Sequence, residues 1–111
     1  MKVFWTETAV NHLSSIYNYI SQNSPQYAQR LVERLTRRSE QIANFPFSGR
    51  LVPEFETEQI REVIEGSYRI IYYIKPEQID VIAVLHAARN RYTERGGPDT
   101  EWDTPEPPHR I

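Results

Sequence analysis

The chain contains no cysteine, which excludes disulfides, a thiolate nucleophile and cysteine-ligated zinc or iron–sulfur centres. Its fold must be held by packing. No apolar run approaches the roughly 18 residues that a membrane-spanning helix requires. The opening Met-Lys-Val-Phe-Trp-Thr turns polar without the apolar core and small-residue cleavage site of a secretory signal. The expectation is a cytoplasmic chain without membrane association. His12, His86 and His109 are spread along the chain without ligand spacing, so no metal site is expected. A phosphate-cradling glycine loop, a nucleophile elbow and paired carboxylates at catalytic spacing are also missing, and no cofactor is expected.

What is present fits one domain. With 111 residues, 39% hydrophobic and 25% charged, the chain can support one modest core but not two. A net charge of −2 argues against a nucleic-acid partner only if the charge is evenly spread, because a local basic face matters more than the sum. It is not evenly spread. Residues 1–92 hold 11 Lys and Arg against 10 Asp and Glu, whereas 93–111 hold 2 against 5. The second stretch also carries Gly96, Gly97 and four of the eight prolines. It reads as a flexible acidic tail after a folded domain over 1–92, with Trp102 as a lone aromatic within it.

Residues 2–6 have the β-branched and aromatic content of a short strand, with Thr6 placed to cap a following helix. Ala9, Leu13, Ile16, Tyr17 and Ile20 then recur at i, i+4, i+7, i+8 and i+11, one stripe of an amphipathic helix over about 8–22. Ser24-Pro25 supplies an N-cap and a proline at the first helical position. The second stripe runs through Ala28, Leu31, Val32, Leu35 and Ile42 until Phe45-Pro46-Phe47-Ser48-Gly49 breaks it. Two helices this close in sequence predict an antiparallel hairpin. Three strand-like runs follow, Ile60–Ile64, Tyr68–Lys75 and Gln78–Ala87, separated by Glu65-Gly66-Ser67 and Pro76-Glu77. The expected fold is α+β: an N-terminal strand, an antiparallel two-helix hairpin, then a three-stranded antiparallel meander packed on the hairpin.

A two-residue turn at Pro76-Glu77 pairs Ile74 with Ile79, Tyr72 with Val81 and Ile70 with Ala83, which puts like with like beneath the helices. A turn centred on Gly66 adds Ile60 and Ile64 to that face. The opposite face then carries Arg61, Val63, Arg69, Ile71, Tyr73, Lys75, Asp80, Ile82, Val84 and His86. Arginine, histidine and tyrosine over an apolar strip suit contact with phosphate, nucleobases or an acidic protein segment; the alternative is an ordinary exposed sheet surface. His86, ending an apolar strand, fits a structural or contact-making group better than an acid–base catalyst. The arginines of the second helix read as a solvated face, with Glu33 paired to Arg37 at i, i+4.

The order of elements, with FPFSGR, IREVIEGSYRIIYYI and IDVIAVLHAARN, resembles the RelE/ParE toxin superfamily over about residues 2–92. Gly66-Ser67-Tyr68-Arg69 and Val84-Leu85-His86-Ala87-Ala88-Arg89 are the motifs that carry the likeness. RelE-like members cut messenger RNA in the ribosome, whereas ParE-like members poison DNA gyrase. On the RelE pattern, Arg69 matches the arginine of a Gly-Tyr-Arg run and Arg61 a lysine of the preceding strand. The arginine expected after the last strand falls near Ala87, with Arg89 and Arg91 the nearby replacements and Tyr92 in place of a terminal tyrosine. A ribonuclease site would thus draw on Arg61, Arg69, His86, Arg89 and Tyr92. The His-x-x-Arg ending and long helical hairpin look more like the ParE branch. The resemblance therefore implies a gyrase-inhibiting toxin whose target surface includes Arg61, Arg69, Tyr73, His86 and Arg89. It also implies a ParD-like or RelB-like antitoxin whose acidic segment complements Arg30, Arg34, Arg37 and Arg38. Operator DNA is then bound only through the antitoxin. The alternatives are ribosome-dependent RNA cleavage and a non-toxic antitoxin-binding or corepressor module.

Overall fold

The computed structural model describes residues 1–87. The expected tail over 93–111, with Trp102, and the expected site residues Arg89 and Tyr92 lie outside them. Strand β1 (Lys2–Trp5) leads into α1 (Glu7–Ser21) and α2 (Pro25–Ile42). A 3-10 turn at Pro46–Ser48 and a two-residue strand β2 (Arg50–Leu51) precede β3 (Ile60–Glu65), β4 (Tyr68–Ile74) and β5 (Gln78–His86).

Both helices begin as the capping residues dictate. Thr6 Oγ1 accepts from the Ala9 N–H at 3.2 Å and Ser24 Oγ from the Tyr27 N–H at 3.2 Å, each satisfying one amide that has no partner within the helix. Thr6 also donates through its hydroxyl to the Val81 carbonyl at 3.1 Å, which fixes the start of α1 against β5. Second-helix periodicity ends at Ile42, and Pro46 opens the 3-10 turn instead of prolonging the helix.

The strands form one sheet in the order β1-β5-β4-β3-β2, with β1 parallel to β5 and the remaining pairs antiparallel. β5 is therefore interior to the sheet. Ile79, Val81, Ala83, Val84 and Leu85 are all fully buried, the near-continuous apolar run of a strand covered on both faces. On the helical side, Ala9, Ile16, Leu31, Leu35 and Ile42 pack against Val63, Tyr68, Ile70, Tyr72, Ile74, Ile79, Val81 and Val84. A second, smaller cluster of Val52, Ile71, Ala83 and Leu85, with Phe55, Ile60 and Ile82 against it, occupies the outer side. The expected open apolar strip is thus partly roofed by the β2–β3 connection.

Two register details correct the expected faces. Gly66 and Ser67 form a two-residue turn, Glu65 facing Tyr68, with positive φ (61°) at Gly66 but not at Ser67. That is the pattern of a II′ hairpin turn, which follows strand twist. The change of one residue from a turn centred on Gly66 inverts β3. Val63 is 6% exposed against the helices and Ile64 is 40% exposed, while Ile60 joins the outer cluster. In β5, the pairs Ile74–Ile79 and Tyr72–Val81 are as expected, but Ile71 pairs with Ala83 and Ile70 with Val84. Ile82 is the extra residue of a β-bulge, which inverts the strand beyond it. Val84 and His86 consequently turn toward the helices. β1 no longer runs beside β5 past Val81, and the Val84 N–H donates to Nδ1 of the buried His12 at 3.2 Å. His12 is a structural acceptor for this strand.

Candidate functional site

The arginines expected on one face occupy opposite faces. Arg61 pairs with Tyr72 of the helical side, whereas Arg69 pairs with Ile64 and Leu85 on the outer side. Each guanidinium is engaged within the chain. Arg61 Nε donates to the Glu58 carbonyl at 2.9 Å, its Nη1 donates to the carbonyls of Phe47 at 3.2 Å and Gly49 at 3.0 Å, and its guanidinium carbon lies 5.1 Å from the Phe47 ring centroid. Arg69, 1% exposed, donates through Nε to Glu62 Oε1 at 2.7 Å. The other oxygen of Glu62 accepts from Arg50 Nε at 2.9 Å. Glu62 is itself 4% exposed, so one buried carboxylate is shared by two cations. Such a pairing is required to hold charge away from water.

These contacts join two of the three segments that carry the family resemblance. Arg50 ends FPFSGR, Glu62 and Arg61 belong to IREV, and Arg69 follows Gly66-Ser67-Tyr68. Tyr72 adds a further link by donating to the Pro46 carbonyl at 2.6 Å. A β-carbon at Gly49 would meet the Tyr72 hydroxyl and, at 2.9 Å, the Glu62 carbonyl, which explains glycine there. The motif residues knit the β2 edge onto the sheet.

His86 lies on the helical side at the end of β5, edge-on to Tyr68 with ring centroids 5.3 Å apart. Burial pushes the Tyr68 phenol up, and the neighbouring Tyr27 and Tyr19 push it further. Tyr72 is also raised by burial, although its contact with the Gly49 backbone and the charges of Arg61 and Arg38 pull the other way. Both phenols stay protonated near neutrality, which suits hydrogen-bond donors and not general bases. Tyr73 keeps an exposed ring and, with Met1, Phe47, Gln59, Ile74, Lys75 and Pro76, lines a surface groove of about 420 Å³. Among the described residues no cluster of three or more histidine, aspartate or glutamate side chains is placed to hold a metal.

On α2, Arg34 and Arg38 meet Glu65 at 3.1 and 3.6 Å. Arg30 and Arg37 are exposed and have no ion pair among the described residues. The expected Glu33–Arg37 pair is not formed; Glu33 instead accepts from Gln29 at 3.4 Å. A second groove of about 310 Å³ runs between the helices, lined by Leu13, Ser14, Tyr17, Asn18 and Val32. Val32, expected in the buried stripe, opens onto it half-exposed. The sequence carried a signal for Glu62 in the opposite charges on neighbouring strands, but only the correct turn at Gly66 brings it to Arg69.

A strand, a helical hairpin and an antiparallel meander closed by parallel β1–β5 pairing define a RelE/ParE-type fold. The same fold is seen in a chain of the solved chromosomal ParDE TA system from P. aeruginosa. That chain superposes with a TM-score of 0.64 at 20% identity, covering 78% of this chain and 95% of its own. The family model for the ParE toxin of type II toxin-antitoxin system, parDE, matches residues 3–91. Toxin RelE2 of Caulobacter vibrioides is 37% identical over 89 residues, which span 79% of this chain and 97% of that relative. The chain belongs to the ParE toxin family of type II toxin–antitoxin systems.

Proposed function

We propose that this chain arrests growth by binding and inhibiting DNA gyrase, and that a cognate antitoxin neutralises it. The observation that carries the choice of target is the separation of Arg61 from Arg69. Cleavage at an RNA 2′-hydroxyl needs a base, cations for the developing phosphate charge and an acid for the leaving oxygen, all converging on one point. Here the two arginines lie on opposite faces and hold carbonyls and a carboxylate, and the buried phenols favour the protonated form. A toxin that acts by contact needs no such convergence. Its contact surface is the exposed Tyr73 ring with the Phe47 groove and the segment from His86 through Arg89.

The antitoxin reading follows from the helical hairpin. The apolar groove of Leu13, Tyr17 and Val32 suits the apolar side of an amphipathic helix, and Arg30 and Arg37 on α2 suit acidic residues on its flank. A ParD-like or RelB-like antitoxin would supply that segment and carry the operator-DNA contacts.

The test is to add purified chain separately to a gyrase supercoiling reaction and to ribosomes translating a reporter messenger whose 5′ ends are mapped. Loss of supercoiling with intact messenger is the expected result. New cuts at the ribosomal A site would overturn the gyrase reading in favour of RNA cleavage. Inactivity in both assays, with no growth arrest on expression, would make the chain an antitoxin-binding or corepressor module.

A further inference from the structure

We propose that the acidic segment 93–111 docks in cis on the arginine face of α2, with Glu101-Trp102-Asp103 as its centre. Three observations meet here. The family match ends at residue 91, so this segment is an addition to the shared domain. It holds 5 Asp and Glu against 2 Lys and Arg, whereas α2 presents Arg30 and Arg37 without ion-pair partners among the described residues. Arg34, Arg37, Arg38, Gln41 and Glu65 line one shallow polar depression, in which a single carboxylate faces three guanidinium groups.

The place where the described chain ends makes the third observation. The Ala87 N–H donates to the Ser67 carbonyl at 2.6 Å, and a β-carbon at the adjoining Gly66 would lie 2.5 Å from Arg34 Nη2. The chain therefore leaves β5 one turn away from the arginine cluster. An extended chain gains roughly 3.3 Å per residue, and α2 rises roughly 1.5 Å per residue. The 88–100 stretch can thus bring residue 101 anywhere between Arg30 and Arg38. Exposed ion pairs are individually weak, but covalent tethering gives a nearby segment of the same chain an effective concentration on the order of millimolar. Trp102, flanked by carboxylates, adds a ring face on which a guanidinium stacks. Glu33, Glu40 and Glu65 are the carboxylates near this helix face, and they leave it positive. Competition between this segment and an acidic antitoxin segment follows if the antitoxin reading is correct; the docking itself does not depend on that reading.

Because the chain has no cysteine, Thr104→Cys in the full chain gives a unique site for a nitroxide label. Amide signals of α2 between Arg30 and Arg38 are expected to lose intensity in the labelled protein. The signals should recover at about 1 M salt, where the screening length falls to about 3 Å. They should also recover in Arg30→Glu/Arg37→Glu and in Glu101→Gln/Asp103→Asn, the second of which leaves the folded domain untouched. Intact α2 signals at low salt would overturn the proposal. So would losses that persist in both charge variants, or equal losses when labelled chain without isotope is mixed with unlabelled isotopic chain, which would place the contact between molecules.

Discussion

The two faces of the sheet are both buried around β5, but by different means. On the helical face, aliphatic stripes from α1 and α2 meet alternate residues of β3, β4 and β5. On the outer face, a smaller apolar cluster sits beside the Arg50–Glu62–Arg69 set and is roofed by Val52 and Phe55 of the connection between β2 and β3. The first face is built by regular elements and the second by a loop and a shared carboxylate. Polar residues on a sheet face are therefore no guide to exposure or to catalysis; Arg69, the most chemically suggestive residue of the meander, is among the most buried.

The comparison can be broken by core truncations, which carry the largest expected effects. Leu35→Ala on the helical face should cost about 3 kcal/mol in chemical denaturation, within the 2–5 kcal/mol range for buried leucines. Leu85→Ala on the outer face should fall in the same range, since Leu85 is equally buried. A cost below about 0.5 kcal/mol, as for an ordinary surface site, would mean that the outer cluster is no core. A smaller contrast tests the β3 register: Val63→Ala should cost about 2 kcal/mol for its two buried methyl groups, and Ile64→Ala less than half of that. The order reverses if β3 has the opposite register.

Gly66→Ala forces a β-carbon into positive φ and toward Arg34, and should cost about 1–2 kcal/mol. The smallest effect is electrostatic. Burial raises the Asp80 carboxyl, but hydrogen bonds from Lys75 and Gln78 and the Lys75 charge outweigh it, leaving it below its ordinary 3.8. A depressed folded-state value contributes stability that is fully present above pH 3.8 and is lost as pH falls through the lower folded value. Asp80→Asn should remove that acid-side loss from the unfolding profile and, because the Asp80 carboxylate holds the Lys75 ammonium above its ordinary value, the alkaline-side loss tied to Lys75 as well.

Much of the fold was legible in the sequence. The helical stripes, the Thr6 and Ser24 caps and the Pro76-Glu77 turn follow from local rules, and they locate the hairpin and the β4–β5 register near that turn. The second core was not legible. One residue in a turn decides whether Val63 or Ile64 points inward, and the bulge at Ile82 inverts Val84 and His86 without any glycine or proline to announce it. The parallel pairing of β1 with β5 joins opposite ends of the domain and leaves no local signal. The turn carries Arg61 and the bulge carries His86 to the helical face, away from Arg69 and Tyr73.

The most direct test of the account is an unfolding cycle on Arg69→Met, Glu62→Leu and the double variant. Glu62→Leu takes the carboxylate away from the buried Arg69 and should cost about 3–5 kcal/mol. Arg69→Met leaves Glu62 paired with Arg50 and should cost less, and the double variant should lose clearly less than the two single losses together. Single variants within about 0.5 kcal/mol of the parent would contradict the account, because Arg69 would then not be committed to holding the sheet together and would remain available for chemistry.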